Sequence, residues 1–599
     1  MRDHPPALPF VLSVGITGHR SEAIPADAID TICERLKEIL ERLAAQAGEI
    51  HRSETAFFGP EAPRLVFISA LADGADQVGA EIALALGYEL HAILPFGRER
   101  YRSELASDVA RERFDYLLNC AVGVLELPGG PDDALQPYVM AGLATVAQSD
   151  VLIAVWDSLP PRGRGGTAEV VDVAVRKAKP VIRIPVDPAV SLDLRWGAFE
   201  PSFVTDASDP ATIRNYSADE LSAVVRRIVA PPMDSRERAF ILEFLGEHRR
   251  PWKLRIEYPL LLAVAGITRV KRRHWRADQS VAETHEEWQQ FREACDEADA
   301  VAAPLARLER SYEWADSLAG HFAQSFRSGH VFNFVLGAIA VLLGTLNLVL
   351  PRIAIFLEVS LFLVVLAILA NTWAANQLDW HRRWLDYRQL AERLRPMRSL
   401  KLLGVAAPDA PGTDANPVCQ RWIEWYCAAV WRAIGCPIGH IDAPRLGAVT
   451  KTIADNEIEP QVAYHHKAAR QVARLDHRLG VLGFSIFTLA LASSAVLLTG
   501  FVVAPDWVHD NYNWFTVISA GLPAIGTAVV GIRVQGDHSA SAIRSEQTAI
   551  VLGQIGKRLA AERSSLVRAA DLTEQAARAM LSDLDEWRLL NQQHDLSVG

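Results

Sequence analysis

Residues 10–20 read FVLSVGITGHR, and this stretch decides the first half of the fold: residues 10–16 are an apolar run suited to a strand, and residues 15–20, GITGHR, are a glycine turn. The same alternation continues downstream. Amphipathic helical patterns over 26–46, 75–86, 134–148 and 167–178 separate further short apolar runs at 65–69, 89–94, 122–127, 151–156 and 181–185. Repeated strand-then-helix order predicts a doubly wound α/β domain whose central strands are mostly parallel. In such a sheet, ligands sit beyond the carboxyl ends of the strands, near the point where strand order reverses.

That rule selects the residues worth naming. Thr17, Gly18, His19 and Arg20 follow the first strand, SALADGAD (69–76) follows the second, and RGRGGTAE (162–169) opens a later helix. Gly74, Gly165 and Gly166 allow close backbone approach or positive φ, and the N–H groups opening helices at Ala75 and Thr167 suit phosphate oxygens. Arg20, Arg162 and Arg164 can pair with the same phosphates. Asp73, Asp76, Asp157 and Glu169 are acceptors for ribose hydroxyls or base amino groups. The expected ligand-binding set is therefore Thr17, Gly18, His19, Arg20, Ser69, Ala72, Gly74, Ala75, Asp76, Asp157, Arg164, Gly165, Gly166, Thr167 and Glu169. Singly, each also reads as a turn glycine or a helix cap. His19 has no evident partner and reads as a structural or phosphate-side residue rather than a catalytic one.

Half of the 599 residues are apolar and 22% are charged, with the apolar excess lying after residue 330. A net charge of −11 removes the general basic surface that duplex nucleic acid requires. Cys33, Cys120, Cys295, Cys419, Cys427 and Cys436 show no CxxC and no Cys/His zinc spacing, so free thiols and no metal are expected. No motif calls for a cofactor. The opening MRDHPPALPF lacks a basic n-region and a cleavage site, which predicts that the N-terminal half stays in the cytoplasm.

Segments 331–350, 353–373, 481–503 and 514–534 each meet the length of about 20 apolar residues needed to cross a bilayer. They predict four transmembrane helices in two hairpins, the first joined by Pro351 and Arg352, the second by a loop over 506–513. Six arginines between Arg382 and Arg398, with Lys467, Arg470, Arg474 and Arg478, flank the hairpins on one side. The positive-inside rule then places both termini and the bulk of the chain in the cytoplasm, at the inner membrane. Glu358 is the one acidic residue within the spans, suited to snorkelling outward or to lining a pore. Pro523 lies among Gly521, Ala524, Gly526 and Ala528, a small-residue face that suits self-association into a homo-oligomer. A shorter apolar run at 258–267 is flanked by lysines and arginines and reads as interfacial or buried. Trp380, Trp384, Trp422, Trp425 and Trp431, interleaved with arginines, read as an interfacial anchor or coupling helix rather than a single-strand stacking platform. Residues 314–403 and 464–559 share a weak order of helix, span pair, helix.

Taken together, VGITGHR, SALADGADQVGAEIAL, LPF at 94–96 and SDVLIAVWDSLPPRGRGGTAEVV resemble the SLOG superfamily of Rossmann-like domains over residues 9–190. The resemblance implies binding of a nucleotide or nucleotide-derived messenger at Gly18, Ser69, Gly74, Gly165, Gly166 and Thr167. Its enzymatic branch carries PGGxGTxxE, where an arginine and the glutamate support phosphoribohydrolase chemistry. Here Glu169 follows Thr167 by two positions rather than three, and Arg162 to Arg164 replace the PGG. The C-terminal half, best in TWAANQLDWHRRWLDYRQLAERLR after the second span, resembles the SLATT membrane modules that accompany such domains.

The expected organisation is a SLOG-like domain over 1–230, a helical connector over 231–330, a membrane hairpin with its cytosolic helix over 331–403, a linker and helical segment over 404–479, and a second hairpin with C-terminal helices over 480–599. The expected function is a membrane effector that senses a nucleotide-derived messenger and permeabilises the bilayer, a setting the resemblance places in prokaryotic antiphage defence. The alternative is a membrane-tethered nucleoside 5′-monophosphate phosphoribohydrolase using Glu169 and Arg162.

Overall fold

The computed structural model describes residues 4–129, 136–160, 165–199, 209–248, 250, 252–294, 302–408, 421–536 and 538–591. Its N-terminal part comprises β1 (Val11–Gly18), α1 (Ile29–Ser53), β2 (Arg64–Ser69), α2 (Ala75–Ala85), β3 (Glu89–Leu94), α3 (Arg98–Ser103), α4 (Asp108–Cys120), β4 (Gly123–Glu126), α5 (Gln136–Gln148), β5 (Val151–Val155), α6 (Thr167–Arg176), β6 (Val181–Ile184), β7 (Asp193–Arg195), β8 (Ile213–Asn215), α7 (Ala218–Val229) and α8 (Ser235–Leu245). The remainder is mostly helical: α9 (Glu257–Val264), α10 (Ala277–Ala294), α11 (Ala302–Leu346), α12 (Ala354–Gln377), α13 (Trp380–Leu394), α14 (Met397–Leu403), α15 (Trp422–Ile434), the short β9 (Gly439–His440), α16 (Ala443–Ile453), α17 (Glu459–Val503), α18 (Pro505–Gln535), α19 (His538–Ala561) and α20 (Leu566–Asn591).

The sheet runs β8-β7-β6-β5-β1-β2-β3-β4-β9. The run β6-β5-β1-β2-β3-β4-β9 is parallel throughout, whereas β7 is antiparallel to both β6 and β8. The chain builds outward from β1 to β4, then returns to lay β5 on the other side of β1, so strand order reverses between them. Period-two alternation decides which face each side chain covers. Leu12, Val14 and Ile16 of β1 join the core under α1, α2 and α4, while Val66 and Ile68 of β2 join the core of α5, α8, α15 and the helical region. The second core is continuous from the sheet into the helices. Trp425 packs edge-on against Phe57 and Phe58 and donates from Nε1 to Val229 O at 3.0 Å. The sheet also takes its last strand from far along the chain, with Leu125 opposite Gly439 and Glu126 opposite His440.

Among the described residues, four helices, within α11, α12, α17 and α18, are long and apolar enough to cross a membrane. Their apolar side chains point outward; Ile355 is 84% and Phe484 76% exposed, a surface that water does not tolerate over such lengths. Both halves of the region begin with a 45-residue helix, α11 and α17. At a rise of about 1.5 Å per residue, each reaches about 68 Å, twice the thickness of a bilayer core.

Several sequence expectations change in three dimensions. Strand β1 extends through Gly18, so Thr17 and Gly18 are its last residues rather than a turn after it. Residues 506–513 form no loop: α18 starts at Pro505, directly after Ala504. The small face of α18 is covered within the chain, because a Cβ on Gly521 would meet Leu342 Cδ2 at 2.5 Å, one on Gly531 Phe334 at 2.3 Å, and one on Gly526 Phe487 at 3.0 Å. That face packs on α11 and α17. Trp422 and Trp425 are fully buried and Trp380, Trp384 and Trp431 nearly so, and the arginines among them pair with carboxylates. Arg383 Nη1 donates to Glu247 at 2.7 Å, and both Arg382 and Arg383 also bind Glu243. This cluster is a buried, ion-paired core of the helical region rather than an exposed membrane anchor. Glu358 accepts from Asn347 Nδ2 at 2.9 Å across the turn between α11 and α12.

Candidate functional site

A cavity of about 320 Å³ opens where strand order reverses, above the carboxyl ends of β1, β2 and β5. Pockets that bury small organic ligands begin at about this size. Thr17, Gly18, His19 and Arg20 enter from β1, Ala72 and Asp76 from the β2–α2 turn, Asp157 from the end of β5, and Gly165, Gly166 and Thr167 from the start of α6. Arg162 and Arg164 lie outside the described residues.

Three expected residues around the β2–α2 turn support the cavity without lining it. Ser69 Oγ, fully buried, accepts from Leu71 N–H at 3.0 Å and donates to Asp76 O at 3.2 Å, closing the β2–α2 turn. Gly74 adopts φ 104°, and a Cβ there would meet Ser21 N at 2.5 Å and His19 O at 2.6 Å. Only glycine permits the chain after β1 to pass this close. Ala75 N–H donates to His19 O at 3.2 Å, so it is engaged by protein rather than held open for a phosphate. Asp73 is likewise engaged, accepting from the Ser21 hydroxyl.

The start of α6 differs. The first-turn N–H groups of Thr167 and Ala168, both in the cavity wall, donate to nothing among the described residues. Free amides at a helix N-terminus carry partial positive charge and favour an anion. Glu169 does not face outward to join them. Its Oε2 accepts from Gly165 N–H at 2.6 Å, clamping the turn in which Gly165 holds φ 77°.

The structure supplies the partner that His19 lacked in sequence. His19 Nε2 lies 3.2 Å from Asp157 Oδ1 and accepts from Asp157 N–H at 3.3 Å, bridging the ends of β1 and β5. Both rim turns also carry non-glycine residues in the left-handed region, Leu71 at φ 53° and Ser158 at φ 64°. Such conformations cost on the order of 1–3 kcal/mol and persist where surrounding contacts overdetermine them. Here Leu71 is pinned by Ser69 and Gln77, and Ser158 Oγ accepts from Arg195 Nη2 at 3.1 Å.

Asp76 is the electrostatic centre of the cavity. Burial pushes its carboxyl up to about 7, against the opposing pull of the Ala72 and Ala70 amides and the Arg20 charge. Desolvation of the charged form outweighs those pulls.

Sequence reasoning missed the aromatic and helical walls: Tyr101, Tyr138, Thr145 and Trp156. Arg20 lies over the Tyr138 ring, 5.4 Å from its centroid, and Tyr138 donates to Glu104 at 3.0 Å. The signal was present in QPYVMAGLATVAQ, where Tyr138, Ala141, Gly142 and Thr145 recur at helical spacing and share one face of α5. Gly142 lets α6 approach, since a Cβ there would meet Val170 Cγ2 at 2.5 Å. No group of three or more metal-ligating side chains occurs among the described residues. No family model, curated protein or solved structure matches this chain.

Proposed function

We propose that this chain is a ligand-gated membrane effector: a nucleotide-derived small molecule binds the cavity, and binding shifts the membrane helices toward a state that permeabilises the bilayer. On this reading the sheet is a Rossmann-like SLOG domain. The membrane helices cross as two SLATT-like hairpins, with both termini in the cytoplasm of the inner membrane, and the protein acts as a homo-oligomer. The resemblance supplies the setting, prokaryotic antiphage defence. The observation that carries the proposal is α5. Its first turns wall the cavity with Tyr138, Ala141, Gly142 and Thr145, and its last residue reaches the helical region. Gln148 donates to Gly404 O at 2.8 Å and accepts from Lys401 Nζ at 2.5 Å. Lys401 belongs to α14, which follows the second candidate span through α13. A ligand that binds the two states with different affinity needs only such a shared rigid element to shift their populations.

Aromatic walls suit a base, the amides of α6 suit a phosphate, and Asp76 suits an amino or imino edge. Glu169 argues for sensing over hydrolysis, because its carboxylate holds the Gly165 turn. The test is dye release from liposomes carrying the full chain, screened against cyclic nucleotides, linear oligonucleotides and NAD-derived messengers, with Gly166→Arg to fill the cavity. Release by one ligand, lost in Gly166→Arg, is expected. Silence across the panel with nucleotide consumed would replace the reading with the tethered hydrolase.

A further inference from the structure

The stretch 252–276 closes on itself: Lys253 N–H donates to Trp275 O at 2.9 Å, and Gln324 Nε2 of α11 donates to both Arg255 O at 2.6 Å and His274 O at 2.8 Å. The loop is thereby tied to α11. One side of α9 packs on the foot of the candidate spans, where Tyr258, Leu261, Leu262 and Ala265 meet Val331, Leu475, Leu479 and Ile532. Tyr258 N–H donates to Ser328 Oγ at 3.1 Å, and Arg478 donates to Ala265 O. These contacts lie where the apolar runs of α11 and α17 begin and that of α18 ends, which is the level of one membrane surface.

The other side of α9 has no cover. Leu260 and Val264, one helical turn apart, are 51% and 80% exposed, and Val270 and Trp275 are also exposed. Beside them Arg269, Lys271 and Arg272 are exposed and form no ion pair among the described residues. The carboxylates at hand are taken: Glu257 pairs with Arg255 at 2.9 Å and Asp476 with Arg533 at 2.9 Å. Exposed apolar side chains on a helix packed at the foot of the spans, with unpaired cations in the same short loop, match an acyl boundary under negative headgroups.

We infer that the loop 252–276 is a docking site for anionic phospholipid, with Leu260 and Val264 entering the acyl boundary and Arg269, Lys271 and Arg272 receiving the phosphates. The inference rests on the membrane placement of the four helices but not on any cavity ligand. It commits to a lipid rather than a soluble phosphate, because the exposed apolar side chains have no use for the latter.

The experiment is native mass spectrometry of the full chain in mild detergent, offered equal phosphatidylglycerol and phosphatidylcholine, with glycerol 3-phosphate as the headgroup alone. Preferential retention of phosphatidylglycerol is expected, falling roughly tenfold or more in Arg269→Gln/Lys271→Gln/Arg272→Gln. Val264→Asp, at a position too exposed to threaten folding, should also lower retention. Glycerol 3-phosphate should not bind. Equal retention of the two lipids, or a preference unchanged in both variants, overturns this inference and leaves the gated-effector reading standing. Retention of neither lipid overturns it together with the membrane placement.

Discussion

Gly74 shows how much of the cavity depends on one missing atom. A Cβ at φ 104° meets backbone, not a movable side-chain tip, so Gly74→Ala must shift the turns after β1 and β2 apart. A left-handed alanine alone costs about 1–2 kcal/mol, and the clash adds to it. Thermal unfolding of the detergent-solubilised variant should show this loss, and isothermal titration a weaker ligand. Asp76 predicts a pH dependence. Its folded value of about 7 exceeds the ordinary 3.8, so the folded state binds the proton more tightly than the unfolded one. That contribution to stability is fully present below pH 3.8, fades as pH rises, and is gone above about 7. The span corresponds to a change on the order of 4 kcal/mol that Asp76→Asn removes. Affinity for a phosphate-bearing ligand should fall as pH rises through about 7, as the carboxyl beside the cavity becomes an anion, and titrations of Asp76→Asn should stay flat. Glu169→Gln keeps an acceptor for Gly165 N–H, so ligand binding should change less than about threefold, whereas the hydrolase alternative requires turnover to vanish.

Among the elements, α5 runs from the cavity wall to the helical region. At its far end, burial lowers the Lys401 ammonium to about 7, while Nζ remains 3.7 Å from the Trp431 ring centroid and bonded to Gln148. Asp150, just beyond α5, accepts from Ser13 N–H at 2.9 Å and Arg432 Nη1 at 3.4 Å, fastening β1 to α15 at the same end. Gln148→Ala removes the grip without touching the cavity. Ligand affinity should hold, while the ligand concentration for half-maximal dye release should rise by roughly fivefold or more, the size of a typical coupling energy. Equal loss of binding and release would show that α5 only builds the pocket.

At the scale of the whole molecule, α18 packs on α11 and α17 through its glycines, and α12 packs on α11. Between α11 and α12 lies a buried polar chain: Asn333 donates to Thr372 Oγ1 at 2.9 Å, Asn371 donates to Asn333 at 2.8 Å, and Arg255 reaches Asn371 at 2.6 Å. These contacts hold α11 and α12 together. Gly521→Leu drives a side chain into Leu342 and should separate α18 from α11. Overpacking of this kind costs about 1–3 kcal/mol, enough to raise dye release without any ligand several-fold over wild type in the same liposomes.

The order of strand and helix, the four apolar stretches and the glycine-bearing strand ends were legible in the sequence because each is a local signal: alternation, length, or a turn that only certain residues make. That locality is why Thr17 to Arg20, Asp76, Asp157 and Gly165 to Thr167 are legible in the sequence as residues of the cavity wall. The partners of these residues were not legible. His19 meets Asp157 across 138 positions, and Arg383 meets Glu247 across 136, pairings that exist only once strands β1 and β5, or α8 and α13, lie side by side. Trp422 and Trp425 illustrate the same limit, since aromatics interleaved with arginines spell a membrane interface and a buried ion-paired core equally well. Strand β9, two residues long, carries no pattern of its own and is a strand only because the edge of β4 offers it hydrogen bonds. Local chemistry determined the elements and the rim residues; which carboxylate neutralises which cation, and which face of α18 is covered, was decided by packing, because desolvation and close approach depend on what stands opposite.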